Sequence, residues 1–380
     1  MVRFNSIIKK TVLFPGFAAL ITIAGIGSAS AEENATAFLV PSHPIVADGM
    51  QPFIDNLSKD DNGVDFKLYT GGSLLSARET LGGVRDGIAN LGFIVLSYHP
   101  AELPYGTLMS DMAFYGQNDS LANAAAITEV VMLHCDACQE EYKRNGLVYL
   151  GSFDTPSYNL LATRSYTKVE DFRGQRIRTT GGAWDRWARH VGAVPVNVPS
   201  SEIFEGLNRG ALDSGLLPIT DVDGYNLYDV VTHVTTLPLG SLFQTSMATL
   251  NQNFWKSLSS EERDAFFRHA SKLVIGPTMS QLRLASESED MLASKGIEVV
   301  PPSHELINNL NEFVEKDHSI IIKNAKSRGI SNPQDFIDLQ AEKIAKYQKL
   351  FEGIRDDEEA VLEVVKREIF DNLDSHSYGL

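Results

Sequence analysis

The chain has 380 residues, 43% of them hydrophobic and 22% charged, with 29 Gly, 15 Pro and 2 Cys. That balance excludes a disordered tract, a collagen-like repeat and a disulfide-built miniprotein, and the length suits two domains of about 150–200 residues each. A formal net charge of −16 excludes a general nucleic-acid binder, whose affinity rests on clustered Lys and Arg.

The first segment reads as an export signal. Arg3, Lys9 and Lys10 form a positive head, Val12 to Gly27 is an apolar run, and Ala29-Ser30-Ala31 supplies the small residues that a signal peptidase needs. The run contains Pro15, Gly16, Gly25 and Gly27 and is short for a helix crossing about 30 Å of hydrocarbon. Cleavage after Ala31 is expected, leaving a mature, exported chain of charge −19. The periplasm is the destination in a host with two membranes.

Beyond residue 31, short apolar runs alternate with stretches of 3.6-residue apolar period. Strands are expected at Thr36–Pro41, Asp65–Thr70, Leu91–Leu96, Leu147–Phe153, Asn159–Thr163, Gln175–Arg178, Val194–Val198, Ala211–Leu217, Val231–Leu237 and Thr245–Leu250. Helices are expected at Pro44–Leu57, Leu81–Asn90, Leu121–Arg144, Ala183–Val191 and Ser201–Arg209. Such alternation implies an α/β architecture with largely parallel sheets. Ser259 with Glu262 makes a capping box, Gly146 and Gly296 stand where left-handed C-caps are wanted, and Asn332-Pro333 opens a late helix. From about His304 onward the pattern is almost all helical.

Searches for catalytic motifs fail. The chain has no G-x-S-x-G, no H-E-x-x-H, no P-loop and no G-x-G-x-x-G after a strand, and its nine histidines show no metal-ligand spacing. The expectation is therefore no enzyme, no metal and no cofactor. Cys135-Asp-Ala-Cys138 falls late in the helix expected over Leu121–Arg144, whereas redox-active C-x-x-C pairs sit at a helix N-terminus. A small local disulfide, two free thiols, and redox or zinc chemistry all remain open, the first being favoured in an oxidising compartment.

The informative region reads Val169-Glu-Asp-Phe-Arg-Gly-Gln-Arg-Ile-Arg178, then Thr-Thr-Gly-Gly-Ala-Trp184. It continues with Gly192-Ala-Val-Pro-Val, Ser201-Glu-Ile-Phe and Gly210-Ala-Leu-Asp-Ser. A second stretch runs from Tyr69-Thr-Gly-Gly-Ser-Leu74 through Glu79 and Gly87-Ile-Ala-Asn-Leu-Gly-Phe93 to Tyr98-His-Pro. In this order the motifs resemble the DctP-type solute-binding proteins of tripartite ATP-independent periplasmic (TRAP) transporters, over most of residues 32–300.

The resemblance implies a two-lobed periplasmic binding protein (Venus-flytrap) fold with a helical C-terminal region. Residues 32–155 and 243–300 would form one lobe, 156–242 the other, and 301–380 a tail packing across them. It implies a receptor that captures a small organic acid between the lobes and delivers it to the small and large membrane subunits of a transporter. A ligand-presenting receptor for a histidine kinase is the alternative, and a periplasmic enzyme on the same scaffold a third.

In the family a strand arginine binds the substrate carboxylate, a role that Arg178 inherits. The residue chemistry agrees, because a guanidinium fork meets a carboxylate with two parallel charge-assisted bonds. Gly181 and Gly182 are expected to let backbone approach an anion, and Trp184 either to cover a ligand or to pack in the core. Ser97 and Tyr98 complete the expected site, with Tyr158 where sialic-acid-type members carry a second arginine. Leu217 stands where many members have asparagine. These departures lean toward a monocarboxylate with an apolar body and leave a dicarboxylate open.

Overall fold

The computed structural model describes residues 32–115 and 119–380; the expected signal peptide and its cleavage site lie outside them. Eleven strands are found among the described residues. The first four are β1 (Glu33–Thr36), β2 (Phe66–Tyr69), β3 (Leu91–Val95) and β4 (Leu147–Tyr149). They are followed by β5 (Tyr158–Ala162), β6 (Arg176–Thr179), β7 (Val194–Asn197), β8 (Ser214–Pro218) and β9 (His233–Thr235). The last two are β10 (Thr245–Asn251) and β11 (Glu298–Val300). They form two sheets, ordered β2-β1-β3-β10-β4 and β11-β9-β5-β8-β6-β7.

The sheets are mixed rather than largely parallel. β1 runs parallel to β2 and β3, and β6 runs parallel to β7 and β8. By contrast β10 is antiparallel to β3 and β4, and β5 to β8 and β9. The reason is topological. β5 and β10 are the strands entered directly after the chain passes from one sheet to the other, so they have no βαβ crossover to align them. Each starts at the edge where its parallel neighbours end. β11 was absent from the expected strands; it pairs with β9 in the second sheet although Glu298–Val300 lies within 243–300, the stretch expected in the first lobe.

The helix Ser260–Ser294 spans both halves. At 35 residues it is about 52 Å long. Near its start Phe266 packs edge-on against Phe66 of the first sheet. Near its end Leu292 joins Leu161, Ile203, Leu217 and Val234 in a second apolar cluster. The expected capping box opens it: Glu262 N donates to Ser259 Oγ at 3.2 Å and Ser259 N to Glu262 Oε2 at 2.6 Å.

Two expectations move. The strand expected at Thr36–Pro41 lies earlier: the regular ladder ends at Thr36, and beyond it Ala37 and Leu39 keep only irregular backbone bonds, to Tyr69, Gly71 and Gly72. The helix expected over Leu121–Arg144 is three pieces: Ser120–Glu129, a wide turn Val130–His134, and Asp136–Arg144, bent by 80°. Cys135 is extended (φ −127°, ψ 79°) and caps the last piece through its sulfur, which accepts from Cys138 N at 3.1 Å. The C-x-x-C pair therefore opens a helix rather than lying late in one, and Cys135 and Cys138 are joined as a disulfide. No single helix among the described residues is long and apolar enough to cross a membrane.

Candidate functional site

Open α/β sheets bind ligands beyond the carboxyl ends of their parallel strands. Here the residues just past β1 (Phe38, Leu39), β3 (Tyr98), β6 (Thr180), β7 (Ser200) and β8 (Asp221) converge on one cavity. The segments passing between the sheets add Phe153, Thr155 and Leu242, and Tyr158 stands at the start of antiparallel β5. The free volume is about 30 Å³, room for one or two waters, so the walls are nearly in contact.

Arg178 is the cation of this cavity and is completely buried. Its Nε donates to Val198 O, Nη1 to Leu216 O and Nη2 to Tyr98 Oη, each at 3.0 Å. Those carbonyls lie just past β7 and in the middle of β8, so the sheet itself orients the guanidinium. A guanidinium has five donors; three are taken, and one remains on each terminal nitrogen. Among the described residues no carboxylate lies within 4 Å of it. A salt bridge to one of the chain's many acids is therefore not its role.

A hydroxyl chain continues from the arginine. Tyr98 Oη also accepts from Ser200 N at 3.2 Å, and Ser200 Oγ lies 2.6 Å from Tyr225 Oη. Burial pushes the phenols of Tyr158 and Tyr225 well above their ordinary value, and nearby Asp221 adds to both shifts. They stay protonated hydroxyls. An aromatic wall, Phe38, Phe93 and Phe153, faces the same space.

Of the residues nominated from sequence, Arg178, Tyr158, Tyr98 and Leu217 line the cavity. Trp184 does not. It stacks behind Tyr158 at 4.7 Å between ring centroids, and its Nε1 donates to Leu239 O at 2.7 Å. Ser97 is buried beside Tyr98 with an unpartnered Oγ, outside the lining. Gly181 and Gly182 do not line the cavity. Gly182 has φ +56°, and a Cβ there would sit 2.3 Å from Ser110 Oγ, so glycine lets the helix Gly182–His190 press on the helix Pro104–Asp111.

Residues missed from sequence are Phe38, Phe93, Phe153, His43, Ser200, Asp221, Tyr225 and Gln281. The strand-end rule could have found Ser200 and Asp221. His43 and Gln281 carry no local signal, since they arrive from a turn and from the middle of the long helix. Among the described residues no cluster of His, Cys, Asp and Glu could hold a metal.

A profile of the bacterial extracellular solute-binding protein family 7, DctP, matches residues 37–324. A Bordetella bronchiseptica TRAP periplasmic solute-binding protein with bound (R)- and (S)-mandelate superposes with TM-score 0.71 at 22% identity, covering 83% of this chain and 99% of the other. A marine-metagenome TRAP solute-binding protein with 3-hydroxybenzoate gives TM-score 0.73 at 17% identity, with coverage of 84% and 99%. The ectoine-binding periplasmic protein TeaA of Halomonas elongata is 28% identical over 157 residues, 39% of this chain and 46% of TeaA. With its profile match spanning most of the chain and two sheets built around one cation-bearing cavity, this chain belongs to the DctP-type solute-binding proteins of TRAP transporters.

Proposed function

We propose that this protein is a periplasmic receptor, not an enzyme, and that it captures a small organic acid by its carboxylate at Arg178. One observation carries the reading. A fully buried guanidinium has no acid partner among the described residues and keeps one donor on each terminal nitrogen. A buried charge without a partner is costly, and a carboxylate supplies two acceptors at the spacing of those two donors. The phenyl wall and Leu217 favour a ring-bearing monocarboxylate over a dicarboxylate, as do the mandelate and 3-hydroxybenzoate bound by its structural neighbours.

The family supports the rest of the reading, and Ala29-Ser30-Ala31 supports the processing site. The chain is exported, with cleavage after Ala31, and delivers its ligand to the small and large membrane subunits of the transporter. Lobe motion about the segments near 153–158 and 239–245 opens the cavity for entry.

Calorimetric titration with an acid and its amide tests the anchor. Arg178→Ala weakens the acid by about 2–5 kcal/mol, roughly 30-fold to several thousand-fold, while the amide loses little. Arg178→Lys restores part of the loss, because a point charge cannot reproduce the planar fork. Equal losses for acid and amide in a folded variant would sink the assignment.

A further inference from the structure

The cavity holds acceptors as well as a cation. Besides Arg178, the lining holds Asp221 of the second-sheet half together with His43, Ile45 and Gln281 of the first. Asp221 is 7% exposed, and neither of its carboxylate oxygens makes a hydrogen bond among the described residues. Its nearest cationic candidate, His43 Nε2, lies 3.7 Å from Oδ1, beyond hydrogen-bond range. The other ring nitrogen of His43 accepts from Ile45 N at 3.3 Å, which holds the ring in place. Gln281, 1% exposed, brings a buried Oε1 with no partner to the same lining. Thr180 Oγ1 is likewise buried and unpartnered. Besides the two spare donors of Arg178, the cavity thus presents acceptors without a hydrogen-bond partner.

We infer that the ligand is an acid carrying, besides its carboxylate, a hydrogen-bond donor, a hydroxyl or an ammonium, and that Asp221 with Gln281 accepts that donor. The inference rests on the carboxylate anchor proposed above. Its physical basis is that a buried acceptor left without a donor is penalised. A site built around such acceptors rejects the analogue lacking the donor far more strongly than an apolar pocket rejects a missing methylene. A charged acceptor strengthens the bond further. Asp221 is thus a specificity-determining residue, separate from the anchor.

Three matched pairs test it by calorimetry: benzoate with 3-hydroxybenzoate, phenylacetate with 3-hydroxyphenylacetate, and hexanoate with 6-aminohexanoate. They place the donor at different distances from the carboxylate. In the wild type, the donor-bearing member of at least one pair should bind at least tenfold more tightly than its partner. Asp221→Asn, which keeps shape and removes charge, should narrow that ratio to below threefold while leaving the donor-free acid within threefold. Loss concentrated on 6-aminohexanoate identifies an ammonium; loss concentrated on the phenols identifies a hydroxyl. Wild-type ratios near one in all pairs overturn the inference without need of a variant, as does a ratio unmoved by Asp221→Asn. Binding of the donor-free acids alone leaves the anchor standing and this inference overturned. No heat from any acid overturns the anchor itself, and the inference with it.

Discussion

Arg178 and Arg186 lie eight residues apart, one in β6 and one in the following helix, the first fully buried and the second partly. Their surroundings are opposite. Arg186 donates to Asp111, and its Nε and Nη2 meet Asp317 at 2.6 and 2.7 Å. Asp111 also pairs with Arg328. That network ties the helix Gly182–His190 to the helices Pro104–Asp111 and His304–Ser327. Arg178 meets only two carbonyls and a phenol. What separates the two is the resident anion: Arg186 has two, and Arg178 has none among the described residues.

The largest effect that could break this contrast comes from Arg186. Arg186→Leu leaves Asp317, 1% exposed, without its partner, and the stability loss should be about 3–5 kcal/mol. Ligand affinity measured on the folded fraction should stay within threefold of wild type. Denaturant unfolding and titration check both. If affinity falls as it does in Arg178→Ala while stability is untouched, the two arginines have been assigned the wrong way round.

The same logic extends to buried acids. Asp111 has two arginines, whereas Glu141, 2% exposed, accepts only from Tyr105 N at 2.7 Å and Gly106 N at 3.4 Å. Burial, opposed by those two bonds, pushes the Glu141 carboxyl up to about 7 from 4.5. A raised carboxyl binds its proton more tightly in the folded state, so its contribution is fully present below about pH 4.5 and lost as pH rises through about 7. Glu141→Gln should therefore be more stable than wild type at pH 8 by about 2–3 kcal/mol and equal to it near pH 4. Thermal melts across that range check the sign. A variant less stable at pH 8 would mean that the two backbone donors outweigh burial.

The smallest expected effect is at the disulfide. Cys135 and Cys138 close a loop of only a few residues, so replacing both by Ser should cost at most about 2 kcal/mol. Neither cysteine lines the cavity, and ligand affinity should be unchanged. A large affinity loss in the folded double variant would give the bridge a role in binding.

Local signals carried over best where one segment decides its own conformation. The Ser259–Glu262 capping box and Gly146 and Gly296 with φ +68° and +76° fall at the helix ends expected for them. The helix Pro333–Leu350 opens at Asn332-Pro333 as expected. Expectations shifted where a neighbour decides. Ala37–Val40 is apolar enough for a strand, yet β3 pairs with β1 only through Thr36, which frees Phe38 to wall the cavity. Val130–Cys135 fits a helix by pattern, yet the bend there turns the next helix back onto the core. Trp184 could cover a ligand or pack behind one, and only its stacking on Tyr158 distinguishes the two.

Sequence by itself determined the element alternation and the family, and singled out Arg178 as the candidate anchor. Each is encoded in contiguous residues: a strand, a turn and an ordered set of short motifs. Only the tertiary structure decided that Arg178 lacks an acid partner and that Asp221, His43 and Gln281 share its cavity. Those residues come from two sheets and a spanning helix, as much as 238 positions apart along the chain. Side-chain pairing across such distances is set by how the layers pack, and no local pattern of residues records it.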